Sequence, residues 1–142
     1  MKSIRDELVA LDMNQFVFAI RRDPNHGFCR KLLFERISEL RIFVPLEVIR
    51  ELRRNLIPSE LQAAFSPLRG AAEVIWDFRD PLEETVNHYQ RLGAKIGDAI
   101  IAAHLDASEI RTLVSENRHF LNEIPNLPFR VLTAEDVLNN LG

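Results

Sequence analysis

The chain has 142 residues, 46% hydrophobic, 27% charged and 8% aromatic, with five glycines and seven prolines scattered along it; this suits one globular domain and excludes collagen-like, low-complexity or wholly disordered chains. Its longest apolar runs, Phe16 to Ile20 and Ala99 to Ala103, are five residues long against roughly 20 for a membrane-spanning helix, and Asp6, Glu7 and Asp12 interrupt what would be a secretory leader. One cysteine, Cys29, excludes an internal disulfide and a multi-thiolate zinc site, so a cytoplasmic protein with no membrane partner is expected.

The net charge of −3 divides unevenly: residues 1–56 hold 11 Lys/Arg against 8 Asp/Glu, and residues 57–142 hold 7 against 13. No global basic field advertises nucleic acid, but a local basic surface is expected from Arg21, Arg22, Arg30, Lys31, Arg50, Arg53 and Arg54.

In chain order, Glu7 to Leu11 reads as a short strand ending at Asp12, followed by a helix from Asn14 to Arg21. Turn formers gather at Asp23 to Gly27, and a helix then runs to about Leu40 with Phe28, Leu32, Leu33, Ile37 and Leu40 as its core stripe. Arg41 to Val44 is a second strand; Pro45 opens a helix with Leu46, Ile49, Leu52 and Leu56 on one side, ending before Pro58. Residues 59–92 read as two or three helices broken near Pro67 to Gly70 and at Asp80-Pro81, with Val74, Ile75 and Trp76 facing inward and Asp77, Asp80, Glu83 and Glu84 as a charged face or helix caps. Gly93 closes a helix, Gly97-Asp98 starts a mostly apolar one, Thr112 to Val114 and Arg130 to Leu132 are short strands, and Thr133 with Asp136 caps a terminal helix.

Short strands alternating with helices predict an α/β fold, a parallel sandwich whose ligands sit beyond the carboxyl ends of the strands. Asp12 follows the first strand, Asp98 opens a helix, and Ser115, Glu116 and Asn117 follow the third, so they can converge on one sheet edge. Glu51 borders the apolar stripe of its helix and can point along that edge. Oxygen-bearing groups gathered in a cleft repel one another unless a cation sits among them, and hard ions such as Mg²⁺ or Mn²⁺ take such ligands, activate water and clamp phosphate. Taken singly, Asp98 reads equally as a helix cap and Glu51 as a surface partner of Arg50 or Arg54, whereas Asp12 directly after an apolar strand needs a partner for its charge.

The segments Leu11-Asp12-Met13-Asn14, Pro45 to Leu52, Lys95 to Ala103 and Val114 to Leu121 resemble, in order and spacing, the successive motifs of the PIN-domain family, over about Glu7 to Leu141 and at the size of stand-alone bacterial VapC-type toxins. The resemblance implies one PIN-like domain over 1–142, a three-layer sandwich with a short central parallel sheet, and a Mg²⁺- or Mn²⁺-dependent endoribonuclease. It implies Asp12, Glu51 and Asp98 as the catalytic and metal-binding acids, Asn117 at the fourth metal position, and Asn14, Ser115 and Glu116 in support. RNA contacts are expected from Arg21, Arg22, Arg50, Arg54, Lys95 and Arg118, on a single-stranded or looped RNA. A homodimer and a small antitoxin partner follow from the same resemblance. Two positions depart from the pattern: Met13 replaces a small hydroxyl residue, and the amide Asn117 replaces a carboxylate, which lowers the charge available to hold a cation, a second one above all.

Two other classes fit less of the sequence. A PIN-like module without catalysis, acting as a binding or scaffold protein, is favoured by Met13 and Asn117. A phosphoacceptor signalling domain wants paired early acids, a mid-chain strand-end Asp and a later Lys, whereas Lys95 precedes Asp98. His26, His88, His104 and His119 show no zinc-ligand spacing; His104 reads as a satisfied core imidazole, and no glycine-rich phosphate loop is present.

Overall fold

The computed structural model describes residues 3–142. Its frame is a wholly parallel sheet of five strands, β1 (Leu8–Leu11), β2 (Arg41–Pro45), β3 (Glu73–Asp77), β4 (Thr112–Val114) and β5 (Arg130–Leu132), in the spatial order β3-β2-β1-β4-β5. The register pairs Val9 with Ile42, Leu11 with Val114, Ile42 with Val74 and Leu113 with Val131. Parallel strands need crossovers, supplied here by α1 (Met13–Ile20), α2 (Gly27–Glu35), α3 (Leu46–Asn55), α4 (Pro58–Phe65), α5 (Glu83–Arg91) and α6 (Ile96–Ala107); α7 (Ala134–Leu141) closes the chain.

Helices cover the sheet, so the central strands are apolar on both sides: Val9, Ala10, Leu11, Ile42, Val44, Leu113 and Val114 are all buried. α1 packs on α2 and α4, α2 on α7, and α5 on α6, while α3 touches both α1 and α6. The chain winds to β2 on one side of β1 and later returns to β4 on the other. The order therefore reverses at β1/β4, where a parallel sheet leaves a crevice at its carboxyl edge. Asp12 directly follows β1 and Ser115 directly follows β4, so both stand at that reversal.

The α/β sandwich with a short parallel sheet agrees with the sequence expectation, and several local expectations are corrected. Residues Glu73–Asp77, expected to be helical, form edge strand β3. Val74, Ile75 and Trp76 are β-branched or aromatic and suit a strand, but Ile75 and Trp76 remain 38% and 39% exposed because only β2 flanks them. α2 stops at Glu35 and a 3₁₀ turn, Ile37–Glu39, carries the chain into extended Leu40; Phe28, expected in the core, is 48% exposed, whereas Leu32, Leu33, Ile37 and Leu40 are buried. Asp77, expected on a charged face, is buried and ion-paired with Arg79 at 2.8 Å. His104 is buried as expected but not satisfied: its ring nitrogens make no hydrogen bond, Nε2 standing 3.4 Å from Asp77 Oδ2.

Other signals read as expected. Gly93 follows α5 at φ 107°, a conformation that favours glycine. α3 ends at Asn55, before Pro58, and Pro58 itself opens α4, where its missing N–H costs nothing; Thr133 and Asp136 cap α7 reciprocally.

Candidate active site

Asp12 is the N-cap of α1 and is 4% exposed. Its backbone N–H donates to the Val114 carbonyl at 2.9 Å, which ties the end of β1 to β4. Its carboxylate accepts from the Met13 N–H at 2.8 Å and from the Ser115 hydroxyl at 2.7 Å. Burial nevertheless pushes the carboxyl up to about 6, with the nearby Asp98 charge adding to the shift and the two hydrogen bonds opposing it.

Ser115, fully buried, organises the β4 end. Besides donating to Asp12, its oxygen accepts from the Asn117 N–H at 3.0 Å and from the Asn14 amide at 3.4 Å. Asn14 also accepts from the Glu116 N–H at 3.2 Å. Asp98, in the first turn of α6, accepts from the Asn117 side-chain nitrogen at 3.2 Å. Burial raises the Asp98 carboxyl, while the Asn117 hydrogen bond and the charges of His119 and Lys95 pull it back. The Asn117 oxygen accepts the His119 N–H at 3.0 Å, which fixes the amide with its nitrogen toward Asp98. As placed, Asn117 therefore offers Asp98 a donor where a carboxylate would repel it.

Glu51 faces the same edge from α3. Its Oε1 is buried without a hydrogen-bond partner. Burial first, then the charges of Asp12, Glu47 and Asp98, push the carboxyl up to about 8 against the opposing pull of Arg54. The charge of Asp98 thus adds to the burial shift at Asp12, and those of Asp12 and Asp98 to the one at Glu51. Glu47, one helical turn before Glu51 and 5% exposed, is a further acid of this edge that the sequence reading did not single out. Its signal was the i, i+4 spacing to Glu51 on one helix face. Gly97 of α6 faces both acids: a Cβ there would lie 3.7 Å from Glu51 Oε1 and 3.8 Å from Glu47 Oε2, ordinary contact distances.

Among the described residues, no group of three His, Cys, Asp or Glu side chains stands in an arrangement that would hold a metal ion as placed. The donor chemistry suits a hard cation all the same: Glu51 Oε1 is orphaned, the Asp12 and Asp98 oxygens keep lone pairs beyond their present hydrogen bonds, and all three acids are strained toward neutrality.

Other expected positions divide. Glu116 turns from the edge to accept from Gln15 at 2.6 Å and from the Ala134 N–H at 3.0 Å, anchoring α1 and the start of α7. Arg50 grips Asp80 through two bonds, 2.7 and 3.2 Å, and stands 3.7 Å from Glu47. Arg54 bonds Glu47 at 2.9 Å. Arg21 reaches the Asn55 carbonyl at 3.0 Å and Glu60 at 3.5 Å. Arg22, Lys95 and Arg118 are exposed, with the Lys95 charge felt at Asp98.

Comparison with known proteins places this architecture. No family model matches the chain, and no curated protein matches it in sequence. Solved structures do match in fold. VapBC2 from Rickettsia felis, crystallised with a DNA fragment from its promoter, is 24% identical with a TM-score of 0.53, over 87% of this chain and 98% of that one. VapC20 from Mycobacterium tuberculosis, described as a sarcin-ricin loop cleaving toxin, is 13% identical with a TM-score of 0.53, over 78% and 90%. PAE2754 from Pyrobaculum aerophilum is 16% identical with a TM-score of 0.54, over 95% and 89%. The class defined is an α/β domain with acids gathered at the carboxyl edge of its sheet, at the strand reversal. Its fold is the PIN-like fold of the VapC toxins.

Proposed function

We propose that this chain is a Mg²⁺- or Mn²⁺-dependent endoribonuclease, the toxin of a toxin–antitoxin pair. One observation carries the reading: Asp12, Glu51 and Asp98, from three separate elements, are carried to one carboxyl edge where desolvation above all raises each carboxyl, and Glu51 Oε1 is left orphaned. A binding-only fold has no use for such an arrangement, which costs stability. A divalent ion, when bound, would neutralise the cluster, lower the pKa of water and offset charge on a phosphate.

The chain's own residues supply the rest. Asp12, locked between the Met13 N–H and Ser115, is a rigid anion at the cleft floor. Asn117 holds Asp98 by its nitrogen. Burial and neighbouring acids push the Glu51 carboxyl up to about 8, so it holds a proton at neutral pH with no cation beside it; beside one, it would be the carboxylate that binds the ion or orients the attacking water. No protein nucleophile takes part. RNA with a splayed backbone, a single strand or a loop, suits a narrow crevice between helices better than a duplex does. The acidic chain needs local cations for that encounter, and Lys95 and Arg118 are exposed on the segments that carry Asp98 and Asn117. The likeness to VapBC2 supports a small antitoxin as partner, and a homodimer is proposed from the motif resemblance.

Cleavage of an RNA panel with Mg²⁺, Mn²⁺ or chelator tests the reading. Metal-dependent cutting is expected, falling at least about 100-fold in Asp12→Asn and in Asp98→Asn, because each substitution removes a charge from the ion's ligand set. RNA binding without cutting at abundant Mn²⁺ would favour the scaffold reading that Asn117 raises; cutting that survives chelator would overturn the metal-dependent one.

A further inference from the structure

Two arginines meet one buried carboxylate on α3, and they are not equivalent. Glu47, side chain 6% exposed, accepts from Arg54 Nη2 at 2.9 Å and has Arg50 Nη1 at 3.7 Å. Arg50 already commits both ends of its guanidinium to Asp80. Arg54 makes no other side-chain hydrogen bond, and its side chain is 61% exposed. The spacing along α3 is Glu47, Glu51, Arg54, at i, i+4 and i+7, so all three share a face and Arg54 stands one turn beyond Glu51.

Guanidinium groups carry five N–H donors in a fixed plane, and a single carboxylate contact through Nη2 leaves most of them open. A long side chain free in solvent loses rotamer entropy when it grips a phosphate; one already tethered to a buried acid has lost much of it in folding. The Glu47 carboxylate gains from the same contact, since a buried anion with no cation beside it is costly. The pair therefore presents a pre-oriented, still-unsatisfied fork beside the acid edge.

We propose that Arg54, held in place by Glu47, is the arginine that grips an RNA backbone phosphate next to the one at the acid edge, and that Glu47 is its positioning residue. The assignment rests on the ribonuclease reading for the class of ligand, and it separates Arg54 from Arg50, which sequence alone leaves equivalent. Glu47 stays bonded to Arg54 while the phosphate is bound: carboxylate on one edge of the guanidinium, phosphate on another.

The test is binding of a fluorescent oligouridylate in chelator, by anisotropy across a salt series, so that no turnover intervenes. Each phosphate contact on a single strand contributes about 0.7 to the slope of log K against log salt. Arg54→Ala is expected to weaken binding about tenfold and flatten the slope by about that amount, and Arg54→Lys to recover the slope but not all the affinity. Glu47→Gln is expected to weaken binding several-fold with Arg54 intact. An unchanged slope in Arg54→Ala, or an equal loss in Arg50→Ala, overturns the assignment. Tighter binding in Glu47→Gln overturns the positioning role, since Glu47 would then be competing with RNA for Arg54. Arg54 is on the surface, so its variants carry the test even where Glu47→Gln melts early. A chain that binds in this way but cuts no RNA overturns the ribonuclease reading alone; one that cuts RNA with KM and slope indifferent to Arg54→Ala overturns this assignment alone.

Discussion

The Ser115 hydroxyl donates to Asp12 Oδ2 at 2.7 Å across 103 positions of sequence, and both groups are buried. It joins the ends of adjacent parallel strands at the point where the strand order reverses. The same oxygen accepts from Asn117 and Asn14, so one hydroxyl sets the positions of Asp12 and of the loop that carries Asn117. Replacing Ser115 by Ala leaves the buried Asp12 carboxylate with the Met13 N–H as its remaining hydrogen bond. Hydrogen-bond partners of ligating groups are worth roughly 10- to 100-fold in metal affinity or activity. Ser115→Ala is expected to lose activity in that range, with a rise in the Mn²⁺ concentration needed for half-maximal cutting; a variant indistinguishable from the parent on both counts would remove Ser115 from the site.

The pH dependence of stability follows from the direction of the shifts. Asp12 is raised to about 6, Glu51 to about 8, and Asp98 is raised as well, each chiefly by burial. An acid whose folded pKa lies above its unfolded one adds stability that is fully present below the unfolded value and lost as pH rises through the folded value. Metal-free protein should therefore melt at progressively lower temperature from about pH 5 to about pH 8.5. Glu39, lowered to about 2 by Arg36 and Arg5, works in the opposite sense, and its contribution is lost only in strong acid. Glu51→Gln removes the largest of the raised acids and should lift the melting temperature at pH 8 by a few degrees, on the order of 1 kcal/mol. Thermal melts in chelator at several pH values check both statements; a flat profile, or a variant no more stable than its parent, would contradict them.

Asn117→Asp puts a carboxylate where a donor now meets Asp98. Two opposed effects are expected, and they separate by condition. Without metal, repulsion between the two acids should lower the melting temperature at neutral pH by several degrees, and by less as falling pH protonates the carboxyls. With Mn²⁺, the added charge should tighten binding about tenfold, since the charge of the ligand set tunes affinity for hard cations. Calorimetric titration with Mn²⁺ measures the second effect directly. Loss of stability without any gain in ion affinity would show that position 117 faces Asp98 but not the ion.

Much of the frame was readable from the chain. The four strands with an apolar run between turn formers, the Pro45 helix start, the helix end before Pro58, Gly93 and the Thr133 cap all declare themselves locally, because capping, proline geometry and left-handed glycine act over a few residues. Strand β3 did not: Glu73 and Asp77 bracket three apolar residues in a pattern equally compatible with a helix turn, and pairing to β2 decided the matter. Asp12, Glu51, Asp98 and Asn117 were named from order and spacing. That Asp12 and Asp98 feel each other's charge, that Glu51 Oε1 is orphaned and that Asn117 turns its nitrogen inward are properties of packing.

Sequence by itself determined which residues are able to carry charge to a strand end, since that depends on neighbours along the chain. Only the tertiary structure decided which of those charges are buried, paired or left without a partner. Glu116 became an anchor for α7, Glu47 became the seat of Arg54, and Arg50 was drawn to Asp80. The reason is physical: desolvation and Coulomb interaction depend on distance through the folded protein, and crossovers of a parallel sheet bring together groups that chain order keeps far apart.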